Sequence, residues 1–156
     1  MSPALPPATA PKGFLSILDL SHADLIRLLD LAATMKAERR NRRGHGASVL
    51  AGMHVALLFE KPSLRTWSTF EIAVKELGGE TLHLPPESAE GVREPLADIA
   101  RNLERWVAAL VVRTFGQQKA AALAAAARTG GGILYIRDIT RTKMEEVGSV
   151  LVLEMV

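Results

Sequence analysis

Ser63, Arg65 and Thr66 stand within four residues of one another, after an apolar run and at the head of a helical pattern, where two hydroxyls and a guanidinium could together hold an oxyanion. The run Met53 to Phe59 (MHVALLF) is short enough for a buried strand. Trp67, Phe70, Val74 and Leu77 then recur at helical spacing from Thr66 to Leu77, with Gly78-Gly79 as the stop. The first backbone N–H groups of a helix have no intrahelical partner, and the helix dipole adds partial positive charge at that end. An anion placed there is held by several donors at once. Arg65 offers a planar fork for two phosphate oxygens, the hydroxyls of Ser63 and Thr66 are rotatable donors, and Pro62 fixes one backbone angle just before the turn. The competing interpretation of these residues is an ordinary Ser N-cap followed by a surface arginine.

A second cation, Arg113, heads Arg113-Thr114-Phe115 at the end of another buried-strand candidate, Val107 to Arg113 (VAALVVR). A guanidinium there could point into a crevice facing the Arg65 turn; its plainer role is that of a snorkelling side chain at a strand end. His22, His45, His54 and His83 form no i, i+4 pair and no carboxylate pattern typical of a metal site, and read as surface or satisfied core residues.

The elements that must position these side chains follow from periodicity. A helix is predicted from Ser21 to near Gly44, with Leu25, Leu28, Leu29, Ala32 and Met35 on one face, Ser21 as N-cap and Leu20 with Leu25 as a staple. Arg39, Arg40, Arg42 and Arg43 suit its C-terminus better than a nucleic-acid patch. Glu80 to Leu84 alternates weakly as a strand ended by Pro85-Pro86, and Pro86 to Arg93 is a polar loop. Glu94 to Trp106 is helical, with Leu96, Ile99, Ala100 and Leu103 on one face, and Gln117 to Arg128 is an Ala-rich helix stopped by Gly130 to Gly132. Ile133 to Ile136 closes the series as a strand. Alternating strands and helices predict an α/β fold: one domain whose parallel sheet is flanked by helices on both faces, with ligands near the carboxyl ends of its strands. The segment Arg137 to Val156 receives no assignment.

The chain's 156 residues suit one domain and exclude a second of similar size. An aromatic share of 4% argues against a stacking platform for single-stranded nucleic acid, and a net charge of +2 is not that of a polycation. There are no cysteines, so neither disulfides nor thiolate metal sites are expected. Residues 1–13 lack a cationic start before an apolar core and read as a disordered lead-in rather than a secretory signal. No apolar run approaches membrane-spanning length. A soluble, cytoplasmic protein is expected.

Phe59-Glu60-Lys61-Pro62-Ser63-Leu64-Arg65-Thr66-Trp67-Ser68-Thr69-Phe70-Glu71 closely resembles the carbamoyl-phosphate signature of the transcarbamylases, usually Ser-Thr-Arg-Thr-Arg followed by Ser-Phe-Glu. Its Phe-Glu-Lys-Pro opening is more similar to the ornithine than to the aspartate branch. Glu94 to Leu103 and Arg113-Thr114-Phe115 match further family stretches in the expected order, and the resemblance covers Phe14 to Arg128. It implies that Ser63, the Leu64 backbone N–H, Arg65 and Thr66 hold phosphate, that Thr66 also reaches the carbamoyl oxygen, and that Arg113 polarises the carbonyl and braces the phosphate. It further implies transfer of the carbamoyl group to an amine, most often ornithine, without metal, cofactor or covalent enzyme intermediate. The assembly implied is a homotrimer in which the loop Pro86 to Arg93 reaches a neighbour's site, with no nucleic-acid or membrane partner. Two positions depart from the signature: Leu64 stands for Thr, and Trp67 replaces the second Arg, leaving Glu71 without that cation. Gly130 to Val156 contains no His, so the family's His-Pro-x-Gln segment is not found there. The expected organisation is therefore a carbamoyl-phosphate domain over 14–136 and an atypical tail over 137–156, with the acceptor-binding domain absent and the chain alone nearly inactive. Another amine acceptor, or a non-catalytic binding or trimerising fragment, remains the alternative.

Overall fold

A computed structural model describes residues 13–40, 49–60, 63–89, 94–127 and 132–135. The lead-in over 1–12, Arg42, Arg43, Pro62, Arg93 and the tail over 137–156 lie outside the described residues. In chain order the elements are β1 (Gly13–Phe14), α1 (His22–Arg40), β2 (His54–Phe59), α2 (Leu64–Glu76), β3 (Glu80–Leu84), α3 (Leu96–Trp106), β4 (Ala109–Arg113), α4 (Gln117–Ala126) and β5 (Gly132–Tyr135), with short 3-10 turns at Ile17–Asp19 and Pro86–Ala89. The predicted elements are all present to within a few residues at their ends, and β1 is an addition.

All five strands are parallel, in the order β1-β5-β4-β2-β3. Strand β2 is an interior strand, between β4 and β3, and is nearly continuous in apolar residues because both of its faces are covered. Its residues divide by the two-residue period of a strand. Val55, Leu57 and Phe59 join Val111 of β4 in one cluster with Val74, Trp67 and Phe70 of α2. Ala56 and Leu58 join Leu110 and Val112 in a second cluster, against Ala100 and Leu103 of α3 and Ala120 and Leu123 of α4. Helix α2 thus covers one face, and α3 with α4 the other. The sheet flanked on both faces is the architecture predicted. Leu57 and Leu58 are 1% and 0% exposed, and burying such a side chain stabilises a fold by about 1.5–3 kcal/mol.

The turn after α2 sets the register of β3. Gly78 adopts φ 82°, a left-handed conformation that glycine accepts without strain. Gly79 N–H donates to the Val74 carbonyl at 2.9 Å, and Glu80 N–H to the Met53 carbonyl at 3.0 Å.

Helix α1 is capped as predicted: the Asp24 N–H donates to Ser21 Oγ at 3.1 Å, and Ser21 Oγ donates to Asp24 Oδ2 at 2.6 Å. Its apolar face is less buried than the spacing suggests. No residue of α1 is buried, and Ile26, Leu28 and Leu31 are 43%, 48% and 44% exposed. An ion pair between Arg39 Nε and Glu76 Oε1, 3.0 Å apart, ties its end to the end of α2. Among the described residues no helix is long and apolar enough to cross a membrane.

Candidate functional site

Strands β2 and β4 are neighbours in the sheet, yet their outgoing connections part company. From β2 the chain crosses through α2 to β3 on one side; from β4 it crosses through α4 to β5 on the other. Such a reversal opens a crevice outside the carboxyl ends of the two strands, the place where open parallel sheets bind ligands. Ser63, Leu64, Arg65 and Thr66 lie on the β2 side of it, and Arg113 ends β4.

Ser63 is the N-cap residue of α2, but its side chain makes no capping bond to the helix amides. Instead Ser63 Oγ donates to Thr66 Oγ1 at 3.0 Å, bringing the two hydroxyls together. The first intrahelical bond runs from the Trp67 N–H to the Ser63 carbonyl at 2.9 Å, so the amides of Leu64, Arg65 and Thr66 precede it. Ser63 thus occupies the N-cap position without capping the helix through its side chain. The Leu64 side chain is 79% exposed, and Arg65 is exposed as well.

Arg113 pairs with Phe59 in the parallel ladder, and the Glu60 N–H donates to the Arg113 carbonyl at 2.9 Å. Strand alternation puts Arg113 in phase with Val111 and Ala109, on the sheet face that α2 covers. The guanidinium-bearing residue and the head of α2 therefore share a face and an end of the sheet. Thr114, 1% exposed, donates from Oγ1 to the Gly116 carbonyl at 2.8 Å and closes the turn into α4.

Glu60 was not singled out by its residue type, yet its side chain is only 6% exposed. Its Oε2 accepts the Phe115 N–H at 2.9 Å, and its Oε1 pairs with the Lys119 ammonium in the first turn of α4. Of the two helix starts flanking the crevice, that of α4 already has a carboxylate beside it. An acid directly after an apolar strand, with a lysine after the next strand but one, is the only trace of this arrangement in the sequence.

Trp67 takes part in a further group that the sequence did not reveal. Its Nε1–H donates to His83 Nδ1 at 3.0 Å, with the ring centroids 4.8 Å apart. His83 Nε2 lies 3.8 Å from Glu71 Oε2, and Lys75 Nζ donates to Glu71 Oε1 at 2.7 Å. Glu71 thus has a cation one helical turn ahead rather than one behind. The Lys75 hydrogen bond holds the Glu71 carboxyl below its ordinary value, and Glu71 in turn raises Lys75. His83 is hydrogen-bonded and half exposed, in keeping with the plain role expected of it. Trp67 and His83 also wall an apolar cleft of about 340 Å³, whose floor is Leu57 and Phe59 and whose rim is Ser63, Leu64, Leu84 and Pro86.

Comparison with known proteins agrees with this geometry. Residues 12–145 match the carbamoyl-P binding domain of the aspartate/ornithine carbamoyltransferases. An ornithine carbamoyltransferase of Deinococcus radiodurans is 42% identical over 120 residues, 76% of this chain and 38% of that protein. One of Thermus thermophilus is 44% identical over 117 residues, 74% of this chain and 37% of that protein. The chain thus spans well under half the length of these relatives. The crystal structure of a Thermus thermophilus ornithine carbamoyltransferase superposes with a TM-score of 0.72 at 38% identity, over 83% of this chain and 43% of that one. An aspartate transcarbamoylase of Trypanosoma cruzi in complex with carbamoyl phosphate gives 0.69 at 29% identity, over 81% and 40%. The Ser63–Thr66 turn at the head of α2, its place at the sheet's switch point and the match over most of the chain lead to one conclusion: the chain belongs to the aspartate/ornithine carbamoyltransferase family, within that family's carbamoyl-P binding domain.

Proposed function

We propose that this domain binds carbamoyl phosphate in the crevice between β2 and β4 and presents its carbonyl carbon to an amino-acid amine, ornithine first among the candidates. The observation that carries the reading is the head of α2. The Ser63 hydroxyl turns to Thr66 instead of capping the helix, on the sheet face and at the sheet end where Arg113 stands. In this reading Ser63, the Leu64 N–H, Arg65 and Thr66 hold the phosphate, Thr66 also donates to the carbamoyl oxygen, and Arg113 polarises the carbonyl.

The amine nitrogen attacks the carbonyl carbon and forms the new C–N bond. The C–O bond to phosphate breaks, phosphate leaves with the electron pair, and the amine gives up a proton. Fixed donors aimed at the developing oxyanion and the departing phosphate supply the catalysis, through positioning and charge. With ornithine the products are citrulline and phosphate, a step of arginine biosynthesis. The aspartate transcarbamoylases among the structural neighbours support another acceptor as the second reading, since the crevice described here holds only the donor side.

This assigns residues 14–136 to the carbamoyl-phosphate domain and gives 137–156 no part in the site. A homotrimer is the proposed assembly, with the loop opened by the turn Pro86–Ala89 reaching a neighbour. The proposed setting is the cytoplasm, with no membrane or nucleic-acid partner. Calorimetric titration with phosphonoacetamide, a stable analogue of carbamoyl phosphate, tests the reading. Saturable binding that Arg65→Ala abolishes supports it; no binding by the folded chain overturns it. Citrulline formation by this chain alone is expected to be nil or nearly so, because its sequence contains no His-Pro-x-Gln segment.

A further inference from the structure

Residues 113–115 are gripped twice by one residue. The Glu60 backbone N–H holds the Arg113 carbonyl at 2.9 Å, and the Glu60 carboxylate holds the Phe115 N–H at 2.9 Å. Between those points Thr114 is fully enclosed and bonded forward to Gly116, which leaves the backbone carrying Arg113 little room to shift. Lys119 of α4 completes the grip from the far side. The grip crosses the crevice, joining the end of β2, three residues before Ser63, to the end of β4.

A carboxylate beside a proposed phosphate site is at first sight misplaced, since it repels the ligand. Lys119 offsets that charge at contact distance, so the pair contributes rigidity with little net charge. Both carboxylate oxygens are already engaged as acceptors, which makes Glu60 a poor general base. We propose that Glu60 is a positioning residue: its two-point grip sets the place of Arg113 relative to the Ser63–Thr66 turn. This inference rests on the carbamoyl-phosphate reading above for its consequence in binding, but the grip itself exists without ligand.

Glu60→Gln separates positioning from simple electrostatics by the sign of its effect. Removing a negative charge and leaving Lys119 uncompensated would tighten the binding of an anion if charge alone mattered. Loss of positioning weakens it instead. Phosphonoacetamide titration is expected to show at least tenfold weaker binding for Glu60→Gln, with the fold checked by circular dichroism. In an Arg113→Ala background the same change should alter the affinity less than twofold. Tighter binding, unchanged binding, or full additivity with Arg113→Ala overturns the proposal. Lys119→Met, which releases one side of the grip, serves the same cycle if Glu60→Gln does not fold. Should the wild type bind no phosphonoacetamide, the carbamoyl-phosphate reading fails by itself. The grip is then read by NMR of the ligand-free protein: Glu60→Gln is expected to move the Arg113 Nε–H resonance along with the Phe115 amide, and a stationary Arg113 signal overturns it.

Discussion

Phe59 and Arg113 are register partners on adjacent parallel strands, so the chain leaves both strands at the same level and turns to opposite faces of the sheet. The turn at the head of α2 begins four residues beyond Phe59, at Ser63, and Arg113 is itself the last residue of its strand. Arg113 and the head of α2, distant in sequence, thereby come to the same end of the sheet.

Arg113→Ala is expected to weaken phosphonoacetamide binding by about tenfold to a hundredfold, the range for hydrogen bonds to charged groups. Arg113→Lys should recover only part of this, because the ammonium lacks the planar fork. If Arg113 polarises the carbonyl, inorganic phosphate will lose less affinity than phosphonoacetamide in parallel titrations; equal losses would assign it to the phosphate alone.

Leu64 is 79% exposed at the rim of the cleft, so Leu64→Thr should change the stability measured by urea unfolding by no more than about 0.5 kcal/mol. The added hydroxyl is expected to tighten phosphonoacetamide binding by no more than about tenfold, the backbone donor being present in both. A large loss of affinity would show that the exposed leucine itself contributes to the site.

The αβ turn before β3 should be intolerant of side chains for two separate reasons. A Cβ on Gly79 would lie 2.9 Å from Leu50 Cβ and 3.1 Å from Val74 Cγ1, so Gly79→Ala is expected to cost about 1–3 kcal/mol by overpacking. Gly78→Ala should cost about 1–2 kcal/mol through backbone strain at φ 82°. Urea unfolding followed by circular dichroism measures both.

The Glu71–Lys75 pair predicts a pH dependence with a defined sign. The folded Glu71 carboxyl lies below its ordinary 4.5, chiefly through the Lys75 hydrogen bond, so its contribution is complete above 4.5 and is lost as pH falls through the lowered value. Folded Lys75 lies above 10.5, so its contribution is complete below 10.5 and is lost as pH rises through the raised value. Lys75→Met should therefore differ from wild type by a small, constant stability between those limits, and converge on it outside them. Added salt should shrink the difference, since Lys75 is solvent-exposed.

Much of this architecture was legible because β2 and β4 are apolar runs of strand length separated by helical periods, and because β3 is bounded by Gly78-Gly79 and Pro85. Strand β1 was not legible: two residues are too few to show alternation, and Gly13 and Phe14 are strand only through β5, more than a hundred residues later. The order of strands was hidden too, since it depends on which face each helix covers. Ser63 to Thr66 announced itself by residue type, while Glu60 did not. Its partners are 55 and 59 residues away, and an acid ending an apolar run looks the same whether it is solvated or enclosed. Trp67 was readable as part of the apolar face of α2 and as a missing cation, but not as a partner of His83, which lies on the next strand; Lys75 supplies Glu71 from the opposite direction.

Helix α1 has nineteen residues, a well-made cap and no buried side chain, and the ion pair of Arg39 with Glu76 that ties it to α2 is solvent-exposed. Exposed pairs contribute about 0–1 kcal/mol. Its amides should then exchange with solvent through a local opening that leaves the β2–β4 sheet closed, making α1 a foldon of its own and separating the fate of this helix from that of the crevice between β2 and β4.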